Sequence, residues 1–98
     1  MSAAVNVARQ LIHHELESRI RTAEAALDTL KARAQTTKAN VEIKAIGELL
    51  KVIPVIYVKL QELKKSSDRW EQTKADLETR IADFEKSLQG IEAKVKVH

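Results

Sequence analysis

The 98-residue chain contains no cysteine, two glycines, one proline and a single residue each of tryptophan, tyrosine and phenylalanine. Without cysteine there is no disulfide framework, no thiolate metal site and no cysteine nucleophile. So little glycine and proline leaves almost nothing from which to build the tight turns of a strand-rich fold. Aromatic side chains are too scarce to stack successive nucleic-acid bases. Long hydrophobic runs are missing as well. The most apolar stretch, 49–60, is interrupted by Lys51, Pro54 and Lys59 and falls short of the roughly 20 residues that a membrane-spanning helix needs. Near the start, Arg9 breaks the apolar stretch and His13, His14 and Glu15 follow it. That pattern matches neither a signal-peptide core nor a basic transit sequence. A cytoplasmic protein with no membrane span is the expectation.

What is abundant is helix-forming material. Ala, Glu, Lys, Leu and Arg account for fifty residues, a proportion typical of long helices and coiled coils. Apolar side chains also recur in steps of three and four: Ile46, Leu49, Ile53, Ile56, Leu60, Leu63, Trp70, Leu77, Ile81, Phe84, Leu88, Ile91 and Val95, with Ser67 and Lys74 as polar rungs. Such a ladder is the seam of helices packed side by side. The predicted fold is all-α, an antiparallel up-down-up three-helix bundle with coiled-coil-like packing. Its alternative is a long helical hairpin in which 41–96 form one helix that dimerises to cover its far half.

The expected organisation is a single helical domain, 1–98, with helices over about 3–35, 41–65 and 69–96. In the first helix the stripe is Leu16, Ile20, Ala23, Leu27, Leu30 and Ala34, and Val5, Ala8 and Ile12 join it after one four-residue step. The polar segment 35–40 ends that stripe, and Thr37 or Asn40 is placed to cap the next helix. The second helix is apolar over a wide arc, since Ala45, Leu50, Val52 and Tyr57 flank its seam, which predicts two neighbours. Pro54 falls on its outer face, where it should bend the helix near Leu50. The β-branched run around Pro54 also permits a lone strand. Lys64 and Lys65 suit a helix C-terminus, and Asp68 with Glu71 resembles a capping box for the third helix. There Glu71, Glu78, Glu85 and Glu92 repeat every seven residues along one edge of the seam. Arg19 and Arg33 of the first helix are their natural counterparts if those two helices run parallel.

No constellation of catalytic type emerges. His13, His14 and Glu17 share a helix surface, but no second ligand cluster matches them, and the bundle-type di-iron pattern of several inward carboxylates is missing; His98 is the third histidine. Ser18, Ser66, Ser67 and Ser87 lack a His and Asp pattern, and Gly47 and Gly90 belong to no phosphate loop. Lys74, at a seam position, is read as a register-setting or snorkelling side chain. No metal, cofactor, cofactor-binding residue or catalytic residue is expected, and the chain is read as not an enzyme.

The net charge of +3 is concentrated centrally: cations against acids number five and four over 1–35, six and three over 36–66, and six and seven over 67–98. Glu42, Glu48 and Glu62 interrupt the central lysines 44, 51, 59, 64 and 65, so specific nucleic-acid binding is not expected. The function class that fits is a small non-enzymatic helical interaction or scaffold module acting through helix-face contacts. Its expected partner is another protein or a second copy in a homodimer. The alternative is a nucleic-acid-associated or membrane-surface accessory using the lysines of the second helix.

Overall fold

The first helix contains no glycine or proline and keeps its apolar stripe for many turns. In a computed structural model, which describes residues 3–66 and 68–97, it forms α1 (Ala3–Thr36), followed by α2 (Asn40–Lys65) and α3 (Trp70–Val97). All three pairs of helices pack together, α2 antiparallel to the other two. The bundle measures 53 × 17 × 15 Å. The hairpin with one helix over 41–96 is overturned, because Ser66 is extended (φ −79°, ψ 146°) and the chain reverses before α3. Ser67, the polar rung at this reversal, and His98 lie outside the described residues.

Every apolar rung from Ile46 to Val95 is buried, as are Leu16, Ile20, Ala23, Leu27, Leu30 and Ala34 of α1. Each large member contributes about 1.5–3 kcal/mol through removal of apolar surface from water. The wide arc of α2 has the two neighbours its breadth predicts. Leu50, Val52 and Tyr57 pack half-buried against the core, while Tyr57 donates a hydrogen bond to Glu24 of α1 at 3.1 Å and Lys59 pairs with Asp76 of α3 at 3.7 Å. Pro54 is exposed on the outer face, and α2 runs through it without interruption, which removes the strand alternative.

The α1–α2 turn is built differently from the capping expected of Thr37 or Asn40. Thr37 reaches backwards, its hydroxyl donating to the Arg33 carbonyl at 3.1 Å, and Asn40 is already helical behind Ala39, which offers no side-chain cap. The end of α1 is instead a Schellman motif: the Ala39 N–H donates to Ala34 at 3.0 Å and the Lys38 N–H to Gln35 at 3.3 Å. Lys38 occupies the left-handed position with φ 58°, where glycine is usual. Ala34 and Ala39 are both buried, the apolar contact that commonly accompanies this motif. Glu42, buried at 7% exposure, lies in the first turn of α2, where the helix dipole favours an acid.

At the opposite end α3 starts a residue later than a box from Asp68 to Glu71 requires. The Arg69 carbonyl accepts from Thr73 at 2.9 Å, so Arg69 occupies the cap position. Here α1 also outruns its neighbours. Its 34 residues span about 51 Å against about 39 Å for the 26 residues of α2 at 1.5 Å per residue. Because α1 and α2 share the turn at 37–39, the excess lies at the α1 N-terminus. There Val5 is 40% exposed, and Val7 and Leu11, on the side of α1 away from its stripe, are 53 and 64% exposed.

Candidate functional site

The residues singled out for metal or catalysis do not assemble. His13 and His14 place their ring centroids 6.2 Å apart edge to face, and Glu17 pairs with Arg21 at 3.6 Å. Among the described residues no group of three His, Asp or Glu side chains is positioned to hold a metal. Lys74 is half-buried, pairs with Glu78 at 3.5 Å and lies 6.0 Å from the centroid of Trp70. No helix among the described residues is long and apolar enough to cross a membrane.

The glutamate ladder of α3 meets α1 once. Arg19 donates through Nη2 and, at 3.4 Å, Nε to Glu85, as parallel α1 and α3 allow. That hydrogen bond raises the Arg19 pKa above its ordinary value against an opposing desolvation. Both groups are more than a third exposed (39 and 34%), so the pair is worth about 0.2–1 kcal/mol. Arg33, the second expected counterpart, is exposed at the C-terminal turn of α1 and makes no ion pair among the described residues. A shallow depression separates it from Glu92. Arg80 of α3 bonds within its own helix to Asp76 at 3.1 Å, which holds the Asp76 carboxyl below its usual value, with Lys59 adding to the effect. Burial, then the hydrogen bond to Glu24, raises the Tyr57 phenol. The Arg19–Glu85 and Tyr57–Glu24 contacts tie α1 to its two neighbours.

The feature with ligand-like geometry lies at the open end, where α2 stops, α3 begins and α1 continues past both. A cleft of about 390 Å³ forms there. Asn6, Arg9, Gln10 and His13 of α1 make one wall, Lys64 and Ser66 the other, and Leu63 with Trp70 the floor. The α1 wall follows from register. Extending the three-four steps back from Leu16 without any adjustment lands on His13, Arg9 and Asn6, so three consecutive polar rungs face the end of the bundle.

The local adjustment expected to bring Val5, Ala8 and Ile12 onto the seam is therefore corrected. Ile12 packs half-buried against the core, while Val5 and Ala8 are exposed. Uninterrupted counting was the signal that would have found the cleft. Asn6, Gln10 and Ser66 carried no other mark in the sequence.

Electrostatically the cleft is one-sided. Arg9, His13 and Lys64 line it and, among the described residues, no acid does. Among the described residues neither Arg9 nor Lys64 takes part in an ion pair. The Arg9 guanidinium carbon lies 4.9 Å from the Trp70 ring centroid, an attraction worth about 0.5–2 kcal/mol depending on solvation. His13 Nε2 is shielded from solvent and has no hydrogen-bond partner among the described residues, a deficit that costs about 1–3 kcal/mol when nothing fills it. Two carbonyls of the last α2 turn are engaged: Glu62 accepts the Ser66 N–H at 2.9 Å and Leu63 the Ser66 hydroxyl at 3.2 Å.

Comparisons of this chain with models of protein families, with curated proteins and with solved structures found no match.

Proposed function

We propose that this chain is a non-enzymatic helical interaction module that binds a protein partner, or a second copy of itself, through helix faces in the cytoplasm. The observation that carries the reading is the inverted amphipathicity of the first turns of α1. Their polar rungs face the bundle end, while Val7 and Leu11, one helical turn apart, are exposed at 53 and 64% on the other side. Apolar residues four apart on a helix are the usual anchors when one helix is received in the groove of another.

The alternative through the α2 lysines has less support. Lys51 is paired with Glu48 at 3.5 Å and Lys59 with Glu62 at 3.3 Å, so part of the central charge is already neutralised. Of the apolar arc that a membrane surface would need, Ala45, Leu50, Val52 and Tyr57 are packed against the core, which leaves Val55 and Val58 exposed on α2.

Site-specific photo-cross-linking tests the proposal. A benzophenone side chain replacing Leu11 in the native host should yield one discrete protein adduct, or a cross-linked dimer, that the Val7→Glu substitution removes. The same probe replacing Thr29, exposed on the covered part of α1, should yield none. Equal adducts at both positions, or none at Leu11, would exclude a helix-face role for these turns.

A further inference from the structure

The cleft at the open end calls for an occupant of a kind that the helix-face role does not supply. Polar groups at three successive seam positions of α1 are placed where a bundle would otherwise bury apolar side chains. They converge with Lys64 on an apolar floor, and no carboxylate among the lining residues balances the cations. A volume of about 390 Å³ falls in the range of about 300–1,000 Å³ typical of small-molecule sites. It is small for a folded partner.

We propose that this cleft binds a small organic anion, an oxyanion carried on a compact aromatic or aliphatic body. The Arg9 guanidinium carbon lies over the Trp70 ring and the group takes part in no ion pair among the described residues, so its fork of N–H donors can receive a carboxylate, sulfonate or phosphate group. Lys64 supplies the second positive charge from the other wall. The amides of Asn6 and Gln10 donate around the rim, and His13 completes the α1 wall. Leu63 and Trp70 receive the apolar body. At the α2 terminus Ser66 occupies the Glu62 and Leu63 carbonyls.

Trp70 is the single tryptophan of the chain and reports occupancy directly. Anilinonaphthalene sulfonate serves as the probe, its sulfonate standing for the oxyanion, and phenylnaphthylamine supplies nearly the same aromatic body without charge. On the full-length protein the sulfonate should bind one molecule per chain, quench Trp70 emission, and bind about tenfold more tightly than the neutral compound, as expected of a charge-assisted contact. The double substitution Arg9→Gln, Lys64→Gln should weaken the sulfonate by about tenfold or more and leave the neutral probe unchanged. Lys31→Gln with Lys44→Gln removes equal charge from exposed sites near the other end and should have no effect. Circular dichroism establishes that each variant is folded; Lys64→Gln alone, at an exposed side chain, carries the test if the double variant is not. Equal affinity for the two probes, an equal loss in the control variant, or sulfonate binding that leaves Trp70 emission unaltered would overturn the proposal.

Discussion

The first third of α1 and the remainder of the same helix obey one register and meet opposite fates. From Leu16 to Ala34 the rungs are apolar and buried, whereas Asn6, Arg9 and His13 continue the same frame as polar groups lining a cleft. Apolar residues are present in both parts. In the first third they sit off the frame, at Val7 and Leu11, and are exposed. A helical stripe therefore marks a face, and a neighbouring helix decides whether that face is buried. The inversion occurs where α2 and α3 run out, so the sequence itself records how far the bundle extends.

Truncating one leucine in each part breaks or upholds this comparison most forcefully. Leu27 is completely buried, and Leu27→Ala should cost about 2–5 kcal/mol through lost transfer energy and a residual cavity. Leu11→Ala removes the same atoms from an exposed site on the same helix and should change stability by no more than about 0.5 kcal/mol. Urea melts of both variants give the answer. A Leu11→Ala penalty above about 1 kcal/mol that vanishes on dilution would place Leu11 in an interface between copies; one that persists would contradict the uncovered position of these turns.

The core was legible because one period runs through it. Each rung from Ile46 to Val95 could be counted without knowing the fold, and the chain reversal near Ser66 was foreshadowed by Lys64, Lys65 and the polar rungs. Details set by backbone hydrogen bonds were not legible. Thr37 and Asn40 have the composition of caps, yet the buried contact of Ala34 with Ala39 selects a Schellman turn, and no local pattern distinguishes Lys38 as its left-handed residue. The cleft was missed for a different reason. Hydrophobicity was followed in preference to register, so Val5, Ala8 and Ile12 displaced Asn6, Arg9 and His13 as the inward set.

The closed end offers a smaller and opposite effect. Lys38 holds φ 58°, a conformation that costs an L-residue with a Cβ roughly 1–2 kcal/mol. Glycine carries no such cost but loses more freedom on folding, a penalty of about 0.5–1 kcal/mol. Lys38→Gly should therefore stabilise the protein by about 0.5–1 kcal/mol, visible as a higher denaturant midpoint with an unchanged slope. A loss of stability would mean that the lysine side chain contributes at this turn more than its backbone strain costs. The same measurement would weaken the contrast between a closed end fixed by backbone geometry and an open end built from side chains.

The subtlest contrast concerns protons in the covered part of the bundle. Tyr57 packs against the core between α1 and α2 and donates its hydroxyl to Glu24. Desolvation first, and the bond to Glu24 second, disfavour the phenolate and raise the pKa. As the chain's one tyrosine, it can be titrated by phenolate absorbance without assignment. It should ionise above the ordinary value of about 10 in the folded protein and near that value in urea. The linked stability follows from the sign of the shift. Folding favours the protonated phenol, so its contribution is fully present below the unfolded pKa and is lost as pH rises through the folded one. Tyr57→Phe should flatten the alkaline limb of the stability profile. Glu24→Gln should lower the folded pKa without returning it to the unfolded value, because desolvation remains. A phenol that titrates identically folded and unfolded would mean that water reaches the seam between α1 and α2, and the covered part of α1 would then differ less from its open end than the burial of Leu27 indicates.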